Sequence, residues 1–314
     1  MILCVNLNPC LDKTVTIEGF KVGALNRVQP IRLDAAGKGI NVAMAAKQLG
    51  MDVFSIGVNY SENGRQITNT LEKAGILNDM VMVLGTLRTN LKIVDTFNQT
   101  YTEINEPGGF VPPDAVEDLL FRLRRRADKC NIVTLSGSLP PGIGEDIFRC
   151  IIEELSGRGI RCVLDADGLA LKEGIKAKPW MLKPNLNEME TLFGRVYQKE
   201  EEIIEDAKQL VAQGIQLVCV SMGALGAVLV SQNGIYRSQA LTQLKAKGYQ
   251  GAGDAMVAGL CLAAEQGLFE YDMLRYGMAA ASAAIIREGT QMCRLEDFEQ
   301  LLVQVEVEKL TDPA

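Results

Sequence analysis

Ile132-Val133-Thr134-Leu135-Ser136, then an amphipathic stretch near 145–157, then Cys162-Val163-Leu164-Asp165 and Met181-Leu182-Lys183: the segment 132–183 decides the fold class. Short runs rich in β-branched residues alternate with stretches of helical period, and that alternation is the signature of parallel strands joined by crossover helices. Outward from this segment the same pattern recurs. Ile2 to Leu7, Val53 to Val58 and Leu217 to Ser221 read as further strands, and 39–49, 63–74, 114–129 and 199–213 as helices. Both faces of such a sheet are covered, so its strands are apolar throughout rather than alternating. After Gly253 the pattern turns to helix upon helix, over 255–266, 271–287 and 295–308. The expectation is a single α/β domain over 1–314, doubly wound around a mostly parallel sheet.

Two regions break the pattern. Thr14-Val15-Thr16-Ile17, and Leu91 to Phe97 followed by Asn98-Gln99 and Thr100 to Ile104, alternate apolar with polar residues and carry turn residues between them. They read as a small antiparallel β-lid formed by excursions at about 12–30 and 88–106, with edge strands of the main sheet as the other reading.

Composition narrows the chemistry. The 314 residues include 32 basic and 39 acidic ones and no histidine, a net charge of −7. An acidic surface argues against nucleic acid or anionic lipid as a partner, so any phosphate site must be local. Without histidine there is no His acid/base chemistry, no serine triad and no common zinc site. Carboxylates, lysines and backbone dipoles remain. Eight scattered cysteines with no Cys-x-x-Cys pair read as buried thiols of a reducing compartment. With Ile2-Leu3-Cys4-Val5 opening the chain and Met256 to Ala264 too short to span a bilayer, the expectation is a cytoplasmic protein without a membrane partner.

Four segments carry candidate chemistry. Gly251-Ala252-Gly253-Asp254 precedes a small-residue helix. Glycines there let an anion approach the backbone, and the helix N-terminus supplies free N–H donors beside a carboxylate able to take a proton. The competing reading is a glycine turn capped by Asp254. Ala35-Ala36-Gly37-Lys38-Gly39-Ile40-Asn41 is no Walker A loop, since Gly39 stands where Ser or Thr should be, and it reads as a polar clamp on a sugar or as a plain strand-to-helix turn. Lys183-Pro184-Asn185-Leu186-Asn187-Glu188 is either a capped helix start or an Asn185/Glu188 pair organising Mg²⁺ and its waters around nucleotide phosphates. Ser221-Met222-Gly223-Ala224-Leu225-Gly226 is a hairpin loop into 227–231 or a flat surface for a nucleotide. Gly-x-Gly-x-x-Gly is absent, which removes the main dinucleotide fingerprint and disfavours an NAD-linked enzyme.

In this order the segments resemble the ribokinase-like PfkB family of carbohydrate kinases, over nearly the whole chain. Asn6-Leu7-Asn8-Pro9-Cys10-Leu11-Asp12, Asn26-Arg27-Val28, Arg88-Thr89-Asn90-Leu91-Lys92-Ile93, Thr102 to Gly108 and Leu135 to Gly142 place the likeness in its 1-phosphofructokinase and tagatose-6-phosphate kinase branch. The resemblance implies ATP and Mg²⁺ as cofactors and a ketohexose monophosphate as substrate, fructose 1-phosphate first and tagatose 6-phosphate second. A non-catalytic sugar-phosphate sensor is the alternative of another class. It implies that Asp12, Gly39 and Asn41 hold sugar hydroxyls, with Gly37, Asn90 and Ser138 also on the substrate side. Arg88, Lys38 and Arg27 from a neighbouring lid would hold the substrate phosphate. Lys183, Asn185, Glu188, Ser221, Gly223 and Gly226 would serve the nucleotide, Glu188 reaching the metal through water. Gly251, Ala252 and Gly253 would form the anion hole and Asp254 the base, and paired lids would make a homodimer. Tyr249-Gln250, where the family has a Thr-Val type pair, Ala255 in place of serine and Cys10 in place of a smaller residue depart from the pattern, and bear on nucleotide preference and the sugar pocket.

Overall fold

The computed structural model describes residues 1–246, 248, 250–287 and 292–310. Its main sheet joins β1 (Ile2–Asn6), β4 (Val53–Glu62), β5 (Leu77–Thr86), β8 (Ile132–Ser136), β9 (Arg161–Asp165), β10 (Met181–Leu182), β11 (Leu217–Ser221), β12 (Ala227–Ser231), β13 (Gly234–Ser238) and β14 (Glu308–Leu310). Their spatial order is β14-β13-β12-β11-β10-β9-β8-β1-β4-β5. From β11 to β5 every pairing is parallel, and the last three strands are appended antiparallel. The central strands β1, β8 and β11 are buried along nearly their whole length, as a sheet covered on both faces requires.

Helices α1 (Lys38–Gln48), α2 (Arg65–Lys73), α3 (Pro113–Ala127), α4 (Ile147–Ser156), α5 (Gly168–Lys176), α6 (Leu186–Phe193), α7 (Glu200–Ala212), α8 (Ala252–Glu265), α9 (Glu270–Ile285) and α10 (Leu295–Leu302) flank the sheet. Helix α1 packs on α8 and α8 on α9. The small residues of α8 allow this, and its buried stretch runs unbroken from Asp254 to Ala264. Among the described residues no helix is long and apolar enough to cross a membrane.

The lid is a separate four-stranded sheet in the order β3-β2-β6-β7, from β2 (Cys10–Ile17), β3 (Ile31–Ala36), β6 (Thr89–Asp95) and β7 (Thr100–Ile104). Its two outer ladders are antiparallel, while the central β2–β6 pair is parallel, because these strands are brought together from distant parts of the chain rather than by a hairpin. Register sets what each face carries. Cys10, Asp12, Asn90, Lys92, Tyr101 and Glu103 share the inner face, and Val15, Ile17, Ile31, Leu33, Ile93 and Ile104 the outer one.

Several expectations change. Strand β3 lies beyond the excursion expected at about 12–30, overlaps the expected clamp only at Ala35 and Ala36, and completes the lid. Strand β5 and helix α5 appear where no element was expected, and the last helix stops at Leu302 so that Glu308–Leu310 can close the sheet edge. Cys150 is exposed, unlike the other seven thiols.

Candidate active site

The parallel strands β1, β8, β9, β10 and β11 end together at Asn6, Ser136, Asp165, Leu182 and Ser221, and the crevice outside such strand ends is where open α/β sheets bind ligands. Two clefts open there. One, of about 800 Å³, is lined by Lys183, Asn185, Ser221, Gly223, Gly226 and Gly251 to Asp254, with an apolar wall from Leu241, Met256, Met278 and Ile285. The other, of about 750 Å³, lies under the lid and is lined by Asp12, Gly37, Asn41, Arg88, Asn90 and Ser138. Lys38 borders both.

Asp254 lines the larger cleft, and its hydrogen-bond partner Asn41 lines the lid cleft. Gly251 caps α8 with φ 70°, a left-handed conformation that favours glycine. That turn puts Asp254 in the first turn of α8, where the leading N–H groups have no helical partner. The carboxylate is only 5% exposed and accepts a hydrogen bond from Asn41 Nδ2 at 2.8 Å. Burial, reinforced by the neighbouring Asp165 charge, pushes its pKa up to about 6, against the opposing pull of Lys38, Asn41 and Lys183. Asp254 is thus ionised at neutral pH yet poised to accept a proton.

Beside it lies a cluster that spacing alone did not reveal. Asp165, at the end of β9, receives Lys38 Nζ at 3.1 Å and Lys183 Nζ at 3.3 Å on one oxygen, and its other, buried oxygen has no partner among the described residues. Despite burial, the Lys183 and Lys38 ammoniums hold its carboxyl below the usual range. Lys38 also reaches Glu188 Oε1 at 3.2 Å. The two carboxylates raise the Lys38 pKa against the opposing effect of burial, which keeps this lysine charged. Lys183 Nζ comes within 3.6 Å of where a Cβ on Gly253 would sit, so an ammonium flanks the free N–H groups of α8. Two cations and a helix N-terminus converge where an anion would lie.

For Asn185 and Glu188 the structure shows the capped helix start. Asn185 Oδ1 accepts from the Glu188 N–H at 2.9 Å and Glu188 Oε2 from the Asn185 N–H at 2.8 Å, a reciprocal capping box. The remaining Glu188 oxygen still faces Lys38. Ser221 to Gly226 likewise serves as a turn into β12 while lining the larger cleft.

In the lid cleft Asp12 accepts from Asn90 Nδ2 at 3.2 Å and pairs with Lys92, while burial beside Asp12 pushes the Cys10 thiol up to about 12. Ser138 Oγ accepts from Asn8 Nδ2 at 3.1 Å. Arg88 lines the cleft, yet its guanidinium donates to the carbonyls of Asn8, Pro9 and Glu106, fastening the loops that form the cleft rim. Gly39 departs from its expected place. A Cβ there would meet Val5 O at 2.4 Å, so this glycine lets α1 press on β1 and faces away from the lid cleft. Arg27 is exposed on the 18–30 loop and lines neither cleft of its own chain. Gln250 reaches back to Glu103 of the lid at 3.4 Å, and Tyr249 lies outside the described residues.

Lys92, Asp165 and the apolar wall escaped the sequence reading. Lys92 stood inside a quoted motif, and its inward direction follows from alternation with Arg88 and Asn90. Asp165 carried no local mark beyond ending an apolar strand, and the wall residues look like ordinary helix core.

A doubly wound sheet whose strand ends hold two clefts bordered by Lys38, the larger lined by a buried carboxylate and a cation-flanked helix N-terminus, defines a sugar-phosphate kinase that transfers phosphate to a hydroxyl. The chain belongs to the pfkB family of carbohydrate kinases, whose model matches residues 5–297. It is 36% identical to the 1-phosphofructokinase of Rhodobacter capsulatus, covering 98% of each chain. To the 1-phosphofructokinase of Haemophilus influenzae it is 31% identical, over 98% of this chain and 97% of the other. Among solved structures, phosphofructokinase-2 from Escherichia coli in complex with substrates and products superposes with a TM-score of 0.91 at 26% identity, covering 96% of this chain and 98% of that one.

Proposed function

We propose that this kinase transfers the γ-phosphate of ATP to the free primary hydroxyl of fructose 1-phosphate, giving fructose 1,6-bisphosphate, with Asp254 as the base. The observation that carries the reading is the buried Asp254 carboxylate at the N-terminus of α8, which lines the larger cleft and is hydrogen-bonded to Asn41 of the lid cleft. ATP occupies the larger cleft, adenine against Leu241, Met256, Met278 and Ile285 and phosphates toward Gly251 to Gly253. The sugar lies under the lid, its hydroxyls held by Asp12, Asn41, Asn90 and Ser138 and its phosphate by Arg88. Asn41 fixes the orientation of Asp254. Asp254 takes the proton of the acceptor hydroxyl as the γ-phosphoryl group moves across, and Lys38, Lys183 and the free N–H groups of α8 balance the charge of the transferring group. Orientation matters more than basicity in a loose transition state, so a base with a pKa of about 6 suffices.

Mg²⁺ fits the phosphate side. The buried Asp165 oxygen that has no partner among the described residues, and Glu188, whose Oε1 faces Lys38, are hard oxygen donors of the kind this ion takes. Among the described residues no three ligating side chains cluster, which suits an ion held through water by Asp165 and Glu188. Bound there, it would neutralise phosphate charge.

The similarity to two 1-phosphofructokinases supports fructose 1-phosphate over tagatose 6-phosphate, and retention of Asp254 with its anion turn argues against a non-catalytic sensor. Purified protein assayed with ATP on fructose 1-phosphate, fructose 6-phosphate and tagatose 6-phosphate tests the assignment. Preference for either of the latter two refutes it. We also read the protein as cytoplasmic, its seven buried thiols suiting a reducing compartment, and as a homodimer joined through the lids. The outer lid face supports the dimer: Ile31, Leu33 and Ile104 are about half exposed beside a small cluster of Val15, Ile17 and Ile93. Arg27, exposed on the adjoining loop, would reach the other subunit's cleft. A monomer in sedimentation analysis at micromolar concentration refutes that arrangement.

A further inference from the structure

Lys92 is 5% exposed, in the interior of a lid strand that lines the sugar cleft. Lysines are almost never so buried unless paired. Its partner is Asp12, itself 3% exposed, on the adjacent strand β2. Strand alternation aims Arg88, Asn90 and Lys92 into the cleft in succession, and register sets Asp12 opposite Asn90. Asp12 is therefore gripped from two sides, Lys92 on Oδ2 and Asn90 with the Cys10 thiol on Oδ1. Glu103 stands directly across from Lys92 on β7, and Asp34, paired with Arg32, stands across from Asp12 on β3. Arg88, the other cation of this row, donates to three backbone carbonyls and to Asn90 Oδ1 without using up its five N–H groups.

We infer, on the reading that this cleft takes a phosphorylated ketose, that Lys92 is a positioning residue for sugar recognition: it fixes the Asp12 carboxylate in one orientation and cancels its charge before an anionic substrate arrives. Asp12 can then accept a hydroxyl hydrogen bond without repelling the substrate phosphate. An unpaired carboxylate in the same place would turn freely and oppose the anion. Lys92 acts through Asp12, so the two residues form one recognition unit.

The test is a cycle of Lys92→Met, Asp12→Asn and the double variant, with Lys92→Arg as the conservative control, assayed on the preferred sugar phosphate. Lys92→Met should raise KM for the sugar phosphate about tenfold or more while leaving kcat and the KM for ATP within about threefold. Lys92→Arg should recover most of the loss, and adding Lys92→Met to Asp12→Asn should cost nothing further. Equal sugar KM in wild type and Lys92→Met, or losses that multiply in the double variant, overturns the inference. Should Lys92→Met fail to fold, Lys92→Gln makes the same comparison. A wild-type protein that phosphorylates none of the ketose phosphates defeats the proposed function instead, which separates the two failures.

Discussion

Asp254→Asn should make the protein more stable at neutral pH. In the folded chain the carboxylate titrates at about 6, against an ordinary value of 3.8, because burial and the Asp165 charge oppose its ionisation. At about 1.4 kcal/mol per pH unit, that difference amounts to about 3 kcal/mol of stability forgone once the group is charged. The sign follows from proton counting. A raised folded pKa means the native state holds the proton more tightly, so stability declines as pH rises from about 4 to about 6 and the full cost persists above that. Asparagine has the same shape, keeps an oxygen for Asn41 and carries no charge, so it removes the cost. For a chain of 314 residues the gain corresponds to a rise in Tm of about 4–5 °C. Thermal unfolding of wild type and variant at pH 5 and pH 7.5 measures it, with the difference at pH 7.5 about twice that at pH 5. A variant no more stable than wild type at pH 7.5, or a difference independent of pH, would refute the claim that this carboxylate is desolvated and repelled.

Other consequences follow from the same geometry. For wild type, kcat/KM for the sugar phosphate should climb through a single ionisation near pH 6 and level off above it, as the base must be unprotonated; a pH–rate series shows this directly. Lys38→Met removes a cation that holds the Asp254 pKa down, so the same limb should move to higher pH, and an unmoved limb would contradict the assignment. Gly39→Ala should destabilise the fold by about 1–3 kcal/mol in urea unfolding, because the new methyl meets the Val5 carbonyl and α1 must lift from β1.

What could be read in advance was whatever leaves a local mark. Apolar runs such as Ile132 to Ser136 announce buried parallel strands by composition, and Gly251 to Asp254 announces the turn into α8 by its glycines. Strand β5 was hidden because Asn78 and Asp79 lower its β character and its edge position leaves Leu77, Met82 and Leu84 exposed. Strand β3 was hidden for a related reason: Arg32 and Asp34 pair with each other across a single strand, which in the sequence looks like a polar loop. The role of Asp165 depends on Lys38 and Lys183 arriving from two other elements, so no window around residue 165 contains it. Gly39 shows the converse. Its position in a glycine-rich turn suggested ligand contact, whereas the demand for glycine comes from the backbone of β1.

The claim on which the rest depends is that Asp254 takes the proton of the acceptor hydroxyl. Its most direct test is the turnover of Asp254→Asn on fructose 1-phosphate, together with calorimetric binding of the sugar phosphate and of ATP to the same variant. The account predicts a fall in kcat of roughly 10²–10⁴-fold with both affinities nearly unchanged. A variant that keeps most of its turnover would contradict it.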